Sequence, residues 1–420
     1  MATTHKPFRE IVKAGSNFQF IGKTRLWVAI SIVAVLASIA VLFVNKATRG
    51  DYMNWSTDFK GGTELIFKFV DKGTGHIADV DAGKVRAALG DAGFDGVSVS
   101  AFALQGTVDG QVKTVHGTLI RTPAFGAVPE KEQKAIAKAI PETFKAQGAA
   151  GVTWSGDRLF VRANQVIDPA EMGKFLAERG LEIKPWSADQ RTQFSAPEAG
   201  TNTYNMAYSI RGIDRQVETA LDKIQGIDAQ VVQAYGVGPK AGERLRNDGI
   251  TSLFYAMLFI MLYLIYRFDI RYAPGAVIAL LHDSILVIGV FAATWTEFSL
   301  TTVAAILTVI GYSVNDTVII FDRIRENVVR LKDKKLARIT NISINETLGR
   351  TVMTSLATFV TTLAMNIFGS GLVKNFAFAM NVGIIVGTYS SIFIASPIML
   401  SIHRRFYGNR PKRGVKAATP

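Results

Sequence analysis

The sequence lacks cysteine altogether and is poor in charged residues. With no Cys among 420 residues, disulfide bonds, thiol catalysis and Cys-ligated zinc are excluded. Charged residues make up 19% of the chain and hydrophobic ones 49%, a balance too apolar for an intrinsically disordered protein. The GxxxxGKS/T, HExxH, GxSxG and strand-to-helix GxGxxG motifs are also missing, and the five His residues are scattered. We therefore expect no enzyme, no metal centre and no cofactor.

The longest polar segment has no excess of positive charge. Residues 45–248 carry 25 Lys and Arg against 25 Asp and Glu, although the whole chain has a net charge of +13. A nucleic-acid-binding domain normally presents a basic stripe, and the lack of one here excludes nucleic acid as a partner. We interpret residues 45–248 as an ordinary folded domain and ascribe the basic excess to the flanks of membrane spans.

The rest of the chain contains six apolar runs that are long enough to cross a lipid bilayer. A helix needs roughly 20 mostly apolar residues to span the hydrocarbon. The runs cover residues 27–44, 250–266, 273–293, 300–321, 351–368 and 376–402. The first run is longer than the core of a secretory signal and precedes a poor cleavage site, so we expect it to be retained as an anchor.

Lys and Arg predict the orientation of these spans. If the N-terminus is cytoplasmic, the inner flanks carry 21 Lys and Arg, whereas the short outer loops carry only Lys374. The inner flanks are then the N-terminus 1–26, the short loop 267–272, the basic loop 322–350 and the basic tail 403–420. Positive charge in short flanks marks the cytoplasmic side. We therefore expect both termini inside and residues 45–248 outside.

The outer domain has the pattern of an α+β fold. Runs typical of strands cover residues 62–70, 97–104, 112–121, 158–163, 203–211 and 229–235. Runs typical of helices cover residues 79–92, 129–147, 169–179 and 214–224. The order predicts two small layers side by side, with residues 122–202 as an insertion.

Ionisable residues inside the spans are the strongest functional signal. A carboxyl group at bilayer depth costs several kcal/mol unless it is paired or solvated. Asp316 lies roughly 8 Å from the inner end of span four, at 1.5 Å per residue. Asn315 precedes it, and Arg350 opens span five with a side chain long enough to reach inward. Asp316 and Arg350 form either a proton relay or a static pair that locks two helices, and both hypotheses stay open.

A second polar pair lies in span three. Asp283 is about 15 Å into that span, at 1.5 Å per residue from its start. His282 precedes it, but adjacent helical residues point about 100° apart and need not share a face. Asp283 and His282 form a candidate secondary polar site in the membrane, for which structural roles are favoured over functional ones. Gly383 and Gly387 in span six have the spacing that lets helices approach closely, although Gly is also common in membrane helices.

Four motifs, in order along the chain, resemble elements of one protein family. TDFKGGT at residues 57–63 follows the first span, and VGPKAGERL at residues 237–245 precedes the second. GYSVNDT at residues 311–317, which runs on to DRIRE, belongs to the fourth span, and GIIVGTYSSIFIASP at residues 383–397 to the sixth. Together they resemble the SecD/SecF family, and the six-span layout fits its SecF members. The motif positions are Asp58, Gly61, Gly62, Gly238, Pro239 and Gly311.

The resemblance implies a fold, a location and a set of partners. SecF is similar in architecture to one half of an RND-superfamily transporter, with six transmembrane helices and a large α+β periplasmic domain between the first two. It resides in the bacterial cytoplasmic (inner) membrane and works with SecD, the SecYEG channel and a YajC-like subunit. The family uses the proton motive force to promote export of unfolded preproteins. The resemblance makes Asp316 the proton site, with Arg350 and Asn315 beside it.

One departure and two other functions are also part of the prediction. The outer domain is longer than the usual compact SecF module, and residues 122–202 contain no family motif. A small-molecule efflux half-transporter of the RND type would need a lipophilic pocket in the outer domain and a separate six-span partner. A non-transporting translocon scaffold would use Asp316 and Arg350 only for stability.

Overall fold

The structure, a computed structural model, describes most of the chain. The described residues are 17–108, 111–126, 128–183, 203–268 and 270–407. The chain divides into two compact units, Met1–Trp55 with Asn247–Pro420, and Ser56–Arg246. Parts of three predicted segments lie outside the described residues, namely 1–16 of the N-terminus, 184–202 of the insertion and 408–420 of the tail.

Helices and strands are divided between the two units. In chain order the helices are α1 (Thr24–Arg49), α2 (Thr57–Lys60), α3 (Ala82–Asp91), α4 (Glu130–Thr143), α5 (Pro169–Ala177), α6 (Ile213–Leu221), α7 (Pro239–Arg267), α8 (Ala273–Thr294), α9 (Leu300–Arg330), α10 (Leu336–Phe368), α11 (Gly371–Ser390) and α12 (Ser396–Tyr407). The strands are β1 (Gly62–Asp71), β2 (Ile77–Ala78), β3 (Ser98–Val108), β4 (Gln111–Thr122), β5 (Gly151–Ser155), β6 (Arg158–Ala163), β7 (Tyr204–Ser209) and β8 (Ile227–Val237).

Six helices of the described chain are long and apolar enough to cross a membrane, which makes this a multi-pass membrane protein. α8, α9 and α11 form the centre of the bundle, α1 packs against α8, and α10 packs against α9 and α11. Glycines allow α11 to approach α9. A Cβ on Gly387 would lie 3.0 Å from the Cβ of Ser313, and Gly383 contacts the Val309 side chain. The Gly383 and Gly387 spacing therefore serves close helix packing.

The predicted basic loop 322–350 is mostly helical. α9 continues to Arg330 and α10 begins at Leu336, so only residues 331–335 connect them. Glu346 of α10 holds the two helices together, since it accepts hydrogen bonds from Arg323 Nε at 2.6 Å and Arg330 Nη2 at 2.7 Å. Paired charges let polar helix turns extend beyond the apolar span, and counting apolar residues does not detect them.

The predicted sixth span contains a break in its helical geometry. A π-helical turn, Ser391–Ala395, joins α11 to α12. The Ser396 hydroxyl donates to the Ser391 carbonyl oxygen at 3.0 Å and so satisfies one of the backbone acceptors in the break. Turns of this kind appear mostly as single insertions in α-helices and are frequent at functional sites.

β1 is the centre of a five-stranded antiparallel sheet in the unit Ser56–Arg246, the outer unit of the predicted topology. β8 pairs with one edge of β1 along its whole length, β4 and the short β2 share the other edge, and β3 pairs with β4. Leu65, Phe67 and Phe69 alternate along β1, as a strand with one buried face requires. They are fully or almost fully buried beneath α3 and α6.

A second antiparallel sheet, in the order β5-β6-β7, forms another core with α4 and α5. β7 pairs with β6 along its whole length. The second layer therefore includes β7 up to Ser209, seven residues beyond the end of the predicted insertion 122–202. Met206 and Tyr208 of β7 point into this core, which explains why the strand belongs to the second sheet.

Tyr208→Phe is expected to loosen the second sheet. Burial raises the pKa of Tyr208, so its hydroxyl keeps its proton, and it donates to the Ile167 carbonyl oxygen at 2.7 Å. Losing the donor leaves that oxygen unpaired in the core, which costs about 1–3 kcal/mol. We expect a loss of this size in the hydrogen-exchange free energy of the β6 and β7 amides of the full chain. Tyr204→Phe, in the same strand, is the control, and equal losses in both variants would contradict the assigned role.

Candidate functional site

Asp316 lies in the middle of α9 and has no exposed surface. The Ser355 hydroxyl of α10 donates to its Oδ2 atom at 3.4 Å. Its Oδ1 atom has no hydrogen-bond partner among the described residues. An unpaired oxygen on a buried charge is costly, and binding a proton removes that charge.

Hydroxyl groups connect Asp316 to its neighbours. Ser355 Oγ accepts from the Tyr312 hydroxyl at 3.2 Å and from Thr388 Oγ1 at 2.8 Å. Tyr312 lies on α9 and Thr388 on α11, so the chain of hydrogen bonds links three helices. A hydroxyl both donates and accepts, so the direction of such a chain reverses when the proton moves.

Arg350 and Asn315, predicted beside Asp316, are exposed, whereas the Asp316 carboxyl is buried. Neither has a hydrogen bond to Asp316 within the described part of the chain. Arg350 is five residues from Ser355 on α10, which places it about 140° around the helix at 100° per residue. Asn315 is one residue from Asp316 and points about 100° away. The static lock between Asp316 and Arg350 is therefore not formed in this structure.

Asp283 of α8 is fully buried and well supplied with partners. Its Oδ2 atom accepts hydrogen bonds from Ser313 of α9 at 2.6 Å and from Ser390 of α11 at 2.8 Å. Its Oδ1 atom lies 2.9 Å from His282 Nδ1. The carboxyl group thus ties together the three central helices of the bundle.

His282 and Asp283 meet although they are adjacent on a helix. The Asp283 carboxyl turns toward the imidazole, so the two groups share one buried site. The His282 Nε2 atom has no hydrogen-bond partner among the described residues. Its ring lies 6.2 Å from the ring of Tyr389.

Sequence reasoning missed the hydroxyl residues that surround each of the two acids. The missed residues are Tyr312, Ser313, Ser355, Thr388 and Ser390. Ser and Thr are common in membrane helices, so their presence alone carries little information. One signal was available, because Ser313 lies three residues before Asp316 and residues at this spacing share a helix face.

Comparison with known proteins places the chain in a family. A model described as "Protein export membrane protein SecD/SecF, C-terminal" matches residues 216–405. The protein translocase subunit SecF of Koribacter versatilis is 31% identical over 419 residues, 96% of each chain. The chain belongs to the SecF family. SecF of Calditerrivibrio nitroreducens is 32% identical over 397 residues, which cover 94% of this chain and 97% of the relative.

Two solved structures share the fold of this SecF-family chain. A crystal structure of SecDF from Thermus thermophilus, a translocon-associated membrane protein, matches with a TM-score of 0.58 at 24% identity. SecDF in a super-membrane-facing form matches with a TM-score of 0.52 at 26% identity. Each match covers 93% of this chain but only 39% of the other. The predicted fold, six membrane helices with a large α+β domain, is confirmed.

The two family motifs that flank the outer domain meet in one joint. Gly61 has a φ of 77°, and a Cβ there would lie 2.7 Å from the Cα of Pro239. A Cβ on Gly242 would lie 2.9 Å from the Gly61 backbone nitrogen. Gly62 pairs with Val237, so the first residue of β1 meets the last of β8. These glycines are required because two backbones approach closely here.

The other motif residues have separate surroundings. Asp58 accepts a hydrogen bond from the Tyr235 side chain, and burial, together with the negative charge of Asp58, raises the pKa of Tyr235. A Cβ on Gly238 would lie 3.3 Å from the Phe125 ring, whereas one on Gly311 would meet nothing within 4 Å. Packing therefore explains Gly238, and nothing in the structure explains Gly311.

Gly61→Ala is expected to destabilise the outer unit. The substitution forces a left-handed backbone on Ala and drives its Cβ against Pro239. Strain and overpacking together cost about 2 kcal/mol or more. The measurement is the thermal unfolding of the full chain in detergent. Gly90→Ala is the control, because a Cβ at this position on α3 meets nothing within 4 Å. Equal melting temperatures of the two variants would contradict the close contact assigned to Gly61 and Pro239.

Proposed function

We propose that this chain is the SecF subunit of a bacterial protein-export machine and that proton movement through Asp316 drives it. Two findings support the proposal. Relatives that match nearly the whole chain are named protein translocase subunit SecF. The main structural support is that Asp316, in the centre of the bundle, is a fully buried carboxyl with one unpaired oxygen among the described residues.

The proposed step reverses the direction of the hydrogen bonds that link Asp316, Ser355 and Thr388. When Asp316 is ionised, Ser355 donates to it and accepts from Thr388. When Asp316 is protonated, its own O–H donates to Ser355, and Ser355 then donates to Thr388. The Thr388 hydroxyl is left to its second acceptor, the Ile384 carbonyl oxygen at 2.7 Å. The contact between α10 and α11 changes accordingly.

Arg350 and Asn315 keep the roles that the family resemblance implies for them. Both are exposed in this structure, which makes them available to a second conformation. In that conformation Arg350 approaches Asp316 from the cytoplasmic end of α10 and stabilises the ionised carboxyl. A cation within about 4–6 Å of a carboxylate favours its charged form. Arg350 thereby helps to release the proton.

SecD is the proposed direct partner. SecDF of Thermus thermophilus is 35% identical over 250 residues, which are 60% of this chain and 34% of that relative. That protein's name joins SecD and SecF, and we propose that a separate SecD supplies the remainder here. The SecYEG channel, a YajC-like subunit and unfolded preproteins complete the proposed set of partners. The α+β unit, on the periplasmic side, holds preprotein segments.

Asp316→Asn is expected to abolish export that depends on the proton motive force. The amide keeps an acceptor for Ser355 but cannot exchange a proton at this site. One charge crossing 100 mV supplies about 2.3 kcal/mol, so export slows by as much as roughly fiftyfold at 1.36 kcal/mol per tenfold. The measurement is the export rate of a reporter preprotein in cells whose only SecF is this chain, with and without an uncoupler.

Asp333→Asn provides the control for that experiment, because this exposed carboxyl lies in the link between α9 and α10. Wild-type export by the Asp316→Asn variant would refute the relay and favour a scaffold. Drug resistance that depends on Asp316, without any effect on export, would favour small-molecule efflux instead.

Single cysteines test the proposed orientation. The chain contains no Cys, so each introduced thiol is the only one. Lys72→Cys in the outer unit and Lys374→Cys after α10 are expected to react with a membrane-impermeant maleimide in intact spheroplasts. Lys334→Cys, between α9 and α10, is expected to react only after the membrane is opened. The reverse pattern would contradict a cytoplasmic N-terminus and C-terminus.

A further inference from the structure

The His282–Asp283 pair has a geometry that the Asp316 relay does not use. Asp283 Oδ2 accepts from two serines on two other helices, and Oδ1 lies 2.9 Å from His282 Nδ1. These contacts supply the carboxyl group with three hydrogen bonds, which suits a carboxylate anion. His282 is 6% exposed and Asp283 is not exposed at all, so the pair is shielded from solvent within the chain.

A buried carboxylate needs a compensating charge, and His282 is the adjacent group that can supply one. The elements packed against α8 contribute other titratable side chains. They are Tyr312, Asp316 and the charged residues from Asp322 to Arg330 on α9, Lys374 and Tyr389 on α11, and His403, Arg404, Arg405 and Tyr407 on α12. α1 has no titratable side chain between Trp27 and Asn45, and the π-helical turn has none. Apart from Asp322 and Glu326 near the C-terminal end of α9, Asp316 is the only acid on these elements.

His282 faces a different side of the bundle from Asp316. Its ring lies beside Tyr389, whose hydroxyl donates to the Trp27 carbonyl oxygen at 2.9 Å and lies 2.9 Å from Ser31 Oγ. Trp27 and Ser31 belong to α1, whereas the hydroxyl chain of Asp316 lies between α9, α10 and α11. The buried, unpartnered His282 Nε2 atom is thus a proton-binding position separate from Asp316.

We propose that His282 and Asp283 form a second proton-exchanging site, in which His282 Nε2 binds and releases the proton. Neutral His282 donates Nδ1–H to Asp283 and leaves the Nε2 lone pair free. A proton arriving at Nε2 produces an imidazolium–carboxylate pair, and its departure restores the neutral ring. This proposal rests on the proposed proton-driven function and adds a second station to it.

The hydrogen-bond partners of Asp283 determine which helices respond when His282 changes its charge. Ser313 is one helical turn from Asp316, and Ser390 directly precedes the π-helical turn Ser391–Ala395. A carboxylate that shares its charge with an imidazolium holds these two hydroxyls less strongly than one beside a neutral ring. Proton binding at His282 therefore weakens the hydrogen bonds that join α8 to α9 and to the residue before the π-helical turn.

The test follows the protonation of His282 in the full chain in lipid bilayers. Solid-state NMR of 15N-histidine-labelled protein reports the ring nitrogens, and subtraction of the His282→Gln spectrum isolates one of the five His residues. We expect the His282 signal to shift between its neutral and charged positions over about pH 5 to 9. A signal that stays constant over this range would overturn the proposal.

Two further variants make the test specific. Asp283→Asn keeps a carbonyl acceptor for Ser313 and Ser390 but removes the charge, so the midpoint of the His282 titration is expected to move to lower pH. An unchanged midpoint would overturn the pairing. In Asp316→Asn the His282 titration is expected to persist, and its loss would show a single coupled site and overturn a separate one. If the Asp316→Asn variant exports normally and its His282 still titrates, the relay through Asp316 is refuted. The proposal of a separate site at His282 is then retained.

Discussion

The bundle depends on one constraint, which is that two carboxyl groups in the interior take hydrogen bonds from side chains on other helices. Asp283 takes its donors from α9 and α11, and Asp316 takes its donor from α10. Each hydrogen bond therefore fixes the position of one helix against another. The glycines of α11 make this possible, because Gly387 allows the backbone of α11 to lie against Ser313. The hydrogen bonds of the buried carboxyl groups thus depend on the close packing of the helices.

Much of the membrane unit follows from the sequence. Six apolar runs predict six helices, since the bilayer demands a minimum length and the backbone must satisfy its own hydrogen bonds. Asp316 stood out because a carboxylate in an apolar run is expensive. The same reasoning failed at the helix ends. α9 and α10 extend through the predicted loop because Glu346 pairs with Arg323 and Arg330, which apolar counting ignores.

Partners distant in the chain account for what the sequence could not predict. Asp283 and Ser390 are 107 residues apart, and Asp316 and Ser355 are 39 apart, so no local pattern links them. Arg350 was expected to reach Asp316 by its length alone, but helical phase turns it away.

In the outer unit, β5 was missed because it is only five residues long and starts with Gly. β7 was found, but its place in the second sheet was not predicted, since strand pairing depends on the tertiary core.

Extended helices have a mechanical consequence. α10 contains 33 residues, about 50 Å at 1.5 Å per residue, whereas the hydrocarbon is about 30 Å thick. The helix is thus roughly 20 Å longer than the hydrocarbon is thick, and Glu346 pairs its N-terminal part with α9. Because the helix is long, a small tilt of α10 at the depth of Ser355 would displace the connecting residues 331–335 by a larger distance. The helical hairpin of α9 and α10 thus has the geometry of a lever arm.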